Sequence, residues 1–160
     1  MLASVQYGRI DSFCELAREI WLEYYPPIIG LEQTKYMLKT FHSPEAIIKS
    51  MNEGYRFYLI LCDSREAGYL CFKKQENSLF LSKLYLRKEF RGRGLAKDSI
   101  QKLCGICRLS GLPAIELTVN KNNHSSIAAY TALGFTELRH QATDIGGGFV
   151  MDDFVLTLKV

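Results

Sequence analysis

Residues 84–97 read Leu84-Tyr85-Leu86-Arg87-Lys88-Glu89-Phe90-Arg91-Gly92-Arg93-Gly94-Leu95-Ala96-Lys97, an apolar strand end that runs through charge and two glycines into a helical pattern. A strand that feeds a glycine-rich turn opening a helix is built to hold an anion. The first helical N–H groups have no intrahelical partner, and the helix dipole adds positive potential there. Gly92 and Gly94 carry no side chain to keep a phosphate away from those groups. Arg87, Lys88, Arg91, Arg93 and Lys97 put five cations into eleven residues, which suits a ligand with several phosphates.

Outward from this turn the chain reads as alternating elements. Upstream, Ser78 to Leu86 has strand texture, and Tyr55 to Cys62 with Gly68 to Lys74 form a hairpin about the turn Asp63-Ser64-Arg65-Glu66. Before that, Phe13, Leu16, Ala17, Ile20, Trp21 and Tyr24 recur at helical spacing after a cap at Asp11 or Ser12. Pro26-Pro27 ends that run. A second helical pattern passes through Tyr36, Met37 and Phe41; Ser43-Pro44 restarts a third helix that stops near Gly54. Ser4 to Tyr7 is a candidate opening strand.

Downstream, Leu95, Ile100, Leu103, Cys104 and Cys107 form an apolar stripe closed by Gly111. A strand from Ala114 to Asn120 follows. Asn122 or Asn123 then caps a helix carrying Ile127, Tyr130 and Leu133, which Gly134 ends. Two last strands, about Phe135 to Thr143 and Phe149 to Leu158, flank Gly146-Gly147-Gly148, a mobile flap or a plain hairpin turn. The order predicts a mixed α/β fold, and the unit from Ser78 to Asn120 a right-handed parallel crossover. With no repeat or linker, residues 1–160 read as one domain.

Two nucleotide motifs fail on this turn. A Walker A loop needs a spacing and second glycine that Gly94-Leu95-Ala96-Lys97-Asp98-Ser99 lacks. The dinucleotide fingerprint needs a third small residue where Lys97 stands. ATP and NAD are therefore weaker candidates.

Arg91-Gly92-Arg93-Gly94-Leu95-Ala96 resembles the Arg/Gln-x-x-Gly-x-Gly/Ala signature of the GNAT superfamily of N-acetyltransferases. Asn123-His124-Ser125-Ser126-Ile127-Ala128-Ala129-Tyr130, followed by Leu133-Gly134-Phe135, resembles that family's second block. The resemblance spans roughly Leu79 to Phe135. It implies a mostly antiparallel sheet of about seven strands, with a splayed parallel pair at its centre and helices on both faces. It also implies acetyl-CoA as acyl donor, gripped at its pyrophosphate by Arg91, Gly92, Arg93, Gly94, Leu95 and Ala96. Main-chain groups of Leu84, Tyr85 and Leu86 would bond the pantetheine arm, with the Leu86 amide polarising the thioester carbonyl. Asn123 and Ser126 would meet the cofactor arm or fix its helix. Tyr130 would protonate the departing thiolate.

Direct attack by a primary amine in a ternary complex is the implied reaction, the acceptor being a small molecule or a protein. Glu116 is the candidate base, as the only carboxylate on the strand that faces the slot, although alternation can equally turn it away. No acid occupies Ser78 to Leu86, a departure from members that place one there. Tyr24 and Tyr25 are candidates to line the acceptor pocket, against a reading as core packing. A non-catalytic acyl-CoA sensor is the alternative, against which an intact Tyr130 argues. The resemblance also implies pairing of copies through the last strands as a homodimer.

Composition sets the remaining limits. With 48% hydrophobic and 23% charged residues the chain is ordinary globular material, and a net charge of +3 predicts no polyanion partner. Without repeated basic faces or a stacking motif, nucleic-acid binding is the weakest reading. No apolar run approaches the roughly 20 residues needed to span a bilayer. Met1 to Gln6 lacks the basic start and apolar stretch of a secretory signal. Five cysteines, odd in number and mostly in apolar settings, fit reduced thiols in the cytoplasm. Cys104 and Cys107 lie on the apolar stripe and His42, His124 and His140 are scattered, so no metal is expected.

Overall fold

A computed structural model describes residues 1–160. Seven strands form one sheet in the order β1-β2-β3-β4-β5-β7-β6. They are β1 (Leu2–Ser4), β2 (Arg56–Cys62), β3 (Arg65–Lys74), β4 (Leu79–Leu86), β5 (Ala114–Asn120), β6 (Thr136–Gly146) and β7 (Phe149–Lys159). The helices are α1 (Ile10–Tyr24), α2 (Pro26–Ile29), α3 (Leu31–Phe41), α4 (Pro44–Asn52), α5 (Leu95–Ser110) and α6 (His124–Ala132). All pairings are antiparallel except β4 with β5. No helix is long and apolar enough to cross a membrane.

Side-chain alternation along the strands divides the core in two. Leu79, Leu81, Ile115, Leu117 and Val119 face α5 and the start of β6, packing with Phe90, Ile100, Leu103, Cys107 and Phe135. On the other face Phe57, Leu59, Tyr69 and Cys71 meet Phe13, Leu16, Ala17 and Ile20 of α1 and Ile47 of α4. Trp21, Met37 and Leu38 make a smaller cluster that joins α1 to α3.

The local signals act where the residues place them, with three differences, the first being that α1 starts at Ile10 without a side-chain cap from Asp11 or Ser12. Ser43 Oγ accepts from Ala46 N at 3.2 Å and starts α4. Gly111, with φ 67°, closes α5. The opening strand, however, is Leu2–Ser4 rather than Ser4 to Tyr7, because Arg9 N donates to Gln6 O (2.8 Å) and winds Tyr7–Arg9 into a 3₁₀ turn. The prolines end α1 and also begin α2, since the missing N–H of proline costs nothing in a first helical turn.

The sheet opens at its centre. β4 and β5 pair only through Leu79↔Ile115, Phe80↔Glu116 and Leu81↔Leu117. A bulge then leaves Ser82 between Leu81, opposite Phe72, and Lys83, opposite Cys71. Beyond it β4 stays with β3, whereas β5 stays with β7 as far as Asn120↔Asp153. The hairpin of β6 and β7 closes one end of this V. Its turn is seated on α3, where Tyr36 Oη donates to the carbonyl of Ile145 at 2.7 Å.

Candidate active site

Divergence from β5 leaves the far edge of β4 unpaired. Antiparallel residues alternate between pointing both main-chain groups at the partner strand and pointing both away. Arg87 N donates to Ala67 O (2.9 Å), which places Arg87, and two residues earlier Tyr85, on the side facing β3. Leu84 and Leu86 therefore turn their N–H and C=O groups toward the open edge. The backbone of Tyr85 is committed to β3, so its part in the site differs from the expectation and comes from its side chain. Gly68 permits this close approach: a β-carbon there would lie 2.1 Å from Tyr85 O.

The glycine turn follows. No N–H from Gly92 to Lys97 donates to another main-chain group; the first such bond in this region is Asp98 N to Gly94 O at 3.0 Å. Gly92 and Gly94 have φ of 75° and 79°, and a β-carbon on either would meet open space. Their N–H groups and those opening α5 form a concave row of free donors. The five cations divide in two. Arg87 bonds Glu19 (2.8 Å) and Arg91 bonds Glu23 (2.6 Å), both on α1. Arg91 Nε also donates to Leu86 O at 3.0 Å, and its guanidinium covers the Tyr24 ring. Arg91 thus braces the turn against α1, leaving Lys88, Arg93 and Lys97 without acidic partners.

Across the opening stands α6. Asn123 is buried and its Oδ1 caps the helix by accepting from Ser126 N at 3.3 Å. The same oxygen accepts from Tyr24 Oη at 2.6 Å, and Ser125 Oγ lies 2.8 Å from that phenol.

Two cavities meet between β4 and α6. One, of about 310 Å³, runs from Gly92 and Ala96 along Leu84, Leu86 and Ala129. The other, of about 530 Å³, lies under α3 and α4 and reaches Thr118, Asn120 and Asp153. Leu84, Tyr85, Ser126 and Tyr130 line both. Tyr130 is enclosed by protein yet keeps surface in each cavity. Burial, with a smaller contribution from Tyr24, raises its pKa well above the usual phenol value, so it holds its proton.

The larger cavity contains ionisable groups without counter-ions. Lys83 makes one hydrogen bond, a long one to Ser82 Oγ (3.5 Å), and no ion pair. Burial lowers its pKa, opposed by Cys71. Burial, then the Lys83 charge, holds His42 well below its ordinary value, and His42 Nδ1 has no partner. Asp153 is raised to about 6, chiefly by burial and then by neighbouring Asp152. Cys71 is pushed by burial to about 12, which leaves an inert thiol.

Most of the expected site residues converge here, and three take other places. Tyr25 lines the larger cavity, as an acceptor-pocket residue should, but Tyr24 lines the smaller one and serves the α6 cap. Glu116 is absent from both walls. It sits opposite Phe80, where β4 and β5 are still bonded, short of the splay. Arg93 projects over the Phe90 ring (5.3 Å). Sequence reasoning passed over Lys83 and Asp153. The available signal for Lys83 is a lone charge inside the apolar strand run Leu81 to Leu86, whereas Asp153 shares its run, Val150 to Leu156, with Asp152.

An acyl-thioester arm laid along the free edge of β4 would extend the sheet by one strand, its pyrophosphate at the α5 turn and its sulfur beside Tyr130. A protein so arranged is an acyl-CoA-dependent acyltransferase. Residues 12–135 match the acetyltransferase (GNAT) family, and the chain belongs to it. It is accordingly an N-acetyltransferase that takes its acyl group from acetyl-CoA. The chain is 24% identical over 148 residues to a spermidine N(1)-acetyltransferase of Thermoplasma acidophilum, covering 89% of each. Its fold is similar to that of PaiA N-acetyltransferase from Thermoplasma acidophilum in complex with coenzyme A, at TM-score 0.81, 22% identity and coverage of 100% and 98%. The ribosomal-protein-S18-alanine N-acetyltransferase of Escherichia coli has TM-score 0.70 at 15% identity, with coverage of 100% and 93%.

Proposed function

We propose that residues 1–160 act as one catalytic domain that transfers the acetyl group directly to a primary amine held in the larger cavity. The observation that carries this reading is the shared wall: Leu84, Tyr85, Ser126 and Tyr130 border both cavities, so a donor and an acceptor can meet there without a carrier residue. The inert Cys71 thiol argues against an acyl-enzyme route.

The reaction divides among named groups. Free N–H groups of Gly92, Arg93, Gly94, Leu95 and Ala96 bind the pyrophosphate, with Lys97 adding charge. Leu84 and Leu86 bond the arm as a neighbouring strand would, and the Leu86 amide donates to the thioester oxygen as it gains negative charge. The acceptor ammonium first loses a proton to solvent. The nitrogen–carbon bond then forms as the carbon–sulfur bond breaks. Tyr130 gives its phenolic proton to the leaving sulfur, and the surplus proton on nitrogen restores the phenol. Asn123 and Ser126 hold the α6 N-terminus against this channel. Tyr25 and Tyr85 wall the acceptor, their hydroxyls joined at 3.2 Å. Five unpaired cysteines support a reducing, cytoplasmic setting. The exposed outer edge of β6 supports pairing of copies as a homodimer.

The test is free-thiol release from acetyl-CoA across a broad amine panel, with mass spectrometry of each product. Acetylated amine and strong loss in Tyr130→Phe are expected. Tight coenzyme A binding with no thiol release from any amine would favour an acyl-CoA sensor instead.

A further inference from the structure

The larger cavity encloses two opposite charges and leaves both unpaired. Lys83 points from β4 into its inner part, beside His42 and across from Cys71. Its ammonium has only the long bond to Ser82 Oγ. Asp153 lies beyond ion-pair distance of Lys83, on β7 opposite Asn120, with no hydrogen bond or ion pair to its carboxylate and close enough to Tyr85 for its charge to be felt there. Other cations of this molecule that approach an acid bond to it, as Arg87 does to Glu19 and Arg91 to Glu23. An enclosed charge without a counter-ion is costly, and proteins keep one where a ligand neutralises it. His42, held neutral and missing a partner at Nδ1, cannot serve as that counter-ion.

We infer that the acceptor is an amine that also carries a carboxylate, with its anionic end on Lys83 and its ammonium end on Asp153 beside Tyr85. This rests on the reading of the larger cavity as the acceptor site, and it names the substrate class of that site. Charge decides against a polyamine. A second or third ammonium would be pushed toward Lys83, and the one other acid on the wall, Glu53, is exposed at the rim beside Lys49. The aromatic floor of Trp21, Tyr25 and Tyr85 accommodates an apolar body between the two charged ends.

Matched pairs of acceptors test the inference: 4-aminobutanoate against butylamine, 4-(aminomethyl)benzoate against benzylamine, and spermidine alone. In the wild-type protein at least one carboxylate-bearing member should exceed its partner by about tenfold in kcat/KM, as expected for a charged hydrogen bond. It should also exceed spermidine. Lys83→Met should bring that ratio close to one, and Lys83→Arg should retain part of it, with cooperative melting of each variant as the fold check. Preference for the plain amines or for spermidine overturns the inference. So does a wild-type ratio that survives Lys83→Met, or a uniform loss with every amine at constant ratio, which would make Lys83 a general participant. Absence of thiol release with every amine is failure of the transferase reading. The inference is then read by calorimetry, where 4-aminobutanoate or 4-(aminomethyl)benzoate must bind the wild type and fail to bind Lys83→Met. No binding to the wild type overturns it.

Discussion

Tyr24 Oη donates to Asn123 Oδ1 at 2.6 Å, a bond between the end of α1 and the cap of α6 that crosses 99 positions of sequence. It joins the helix beside the acceptor cavity to the helix that carries Tyr130. Because Asn123 Oδ1 also caps Ser126 N, one oxygen sets both the start of α6 and its distance from α1.

Asn123→Ala should therefore cost more than a lost cap. The cap alone is worth about 1 kcal/mol, and the half-buried Tyr24 hydroxyl loses its best acceptor as well. We expect about 2 kcal/mol in denaturant unfolding and a raised KM for acetyl-CoA. Tyr24→Phe should cost about 1 kcal/mol. The double variant should lose less than the two single losses combined, since both remove the same bond. Full additivity would mean that the contact contributes nothing.

Tyr130→Phe should lower kcat by about a hundredfold or more, the usual yield of a positioned general acid, while the ring still packs on Phe135. Single-turnover measurement is the proper check, because slow product release hides a chemical defect. A drop confined to KM would remove Tyr130 from the chemistry.

Gly94 begins α5 in the left-handed region, at φ 79°. Gly94→Val strains that backbone and sets a branched side chain beside the free N–H row. Affinity for coenzyme A, followed by calorimetry, should fall by about tenfold or more, equivalent to about 1.4 kcal/mol. Unchanged affinity would sink the placement of the pyrophosphate.

Why the donor half was legible and the acceptor half was not has a physical basis. Gly92, Gly94, Asn123 and Gly134 do their work through backbone geometry that few other residues reproduce, so their identity reveals their role. Tyr85 shows the limit. Its place in a strand was readable, but the direction of its main chain depends on the phase of the β3 pairing. Lys83 and Asp153 became visible only when the bulge at Ser82 and the parting of β4 from β5 brought two distant strands around one cavity. Glu116 shows the complementary limit: its strand is legible, but β5 parts from β4 only after Leu117, so Glu116 lies where the two strands are still paired.

Gly68→Ala tests the route by which β4 reaches the site. A β-carbon would stand 2.1 Å from Tyr85 O and 2.9 Å from the Leu86 α-carbon, both backbone atoms with no rotamer to yield. We expect at least about 2 kcal/mol of destabilisation and displacement of Leu86. Thermal melting should drop by several degrees, and acetyl-CoA turnover should fall by more than the melting shift alone explains. Wild-type stability would mean that the end of β4 is free to move.

Asp153 gives the pH dependence. Burial and Asp152 raise its pKa from 3.8 to about 6, against a smaller pull from His140 on β6; Tyr85 faces it from β4. An acid whose folded pKa lies above its unfolded one binds more protons when folded. Its contribution to stability is thus greatest below about pH 4, declines as pH rises to about 6, and stays lost above. Asp153→Asn should accordingly stabilise the protein at pH 7.5 by about 1–2 kcal/mol, allowing for solvent that enters the cavity, with little gain at pH 4. Activity should move the opposite way. Only the ionised carboxylate attracts an ammonium, so kcat/KM for the amine should rise with pH through about 6 in the wild type. That limb should vanish in Asp153→Asn, leaving the higher one set by the amine itself. Unfolding curves and acceptor kinetics over pH 4–9 read both effects. A limb near 6 that persists in Asp153→Asn would assign it to another group.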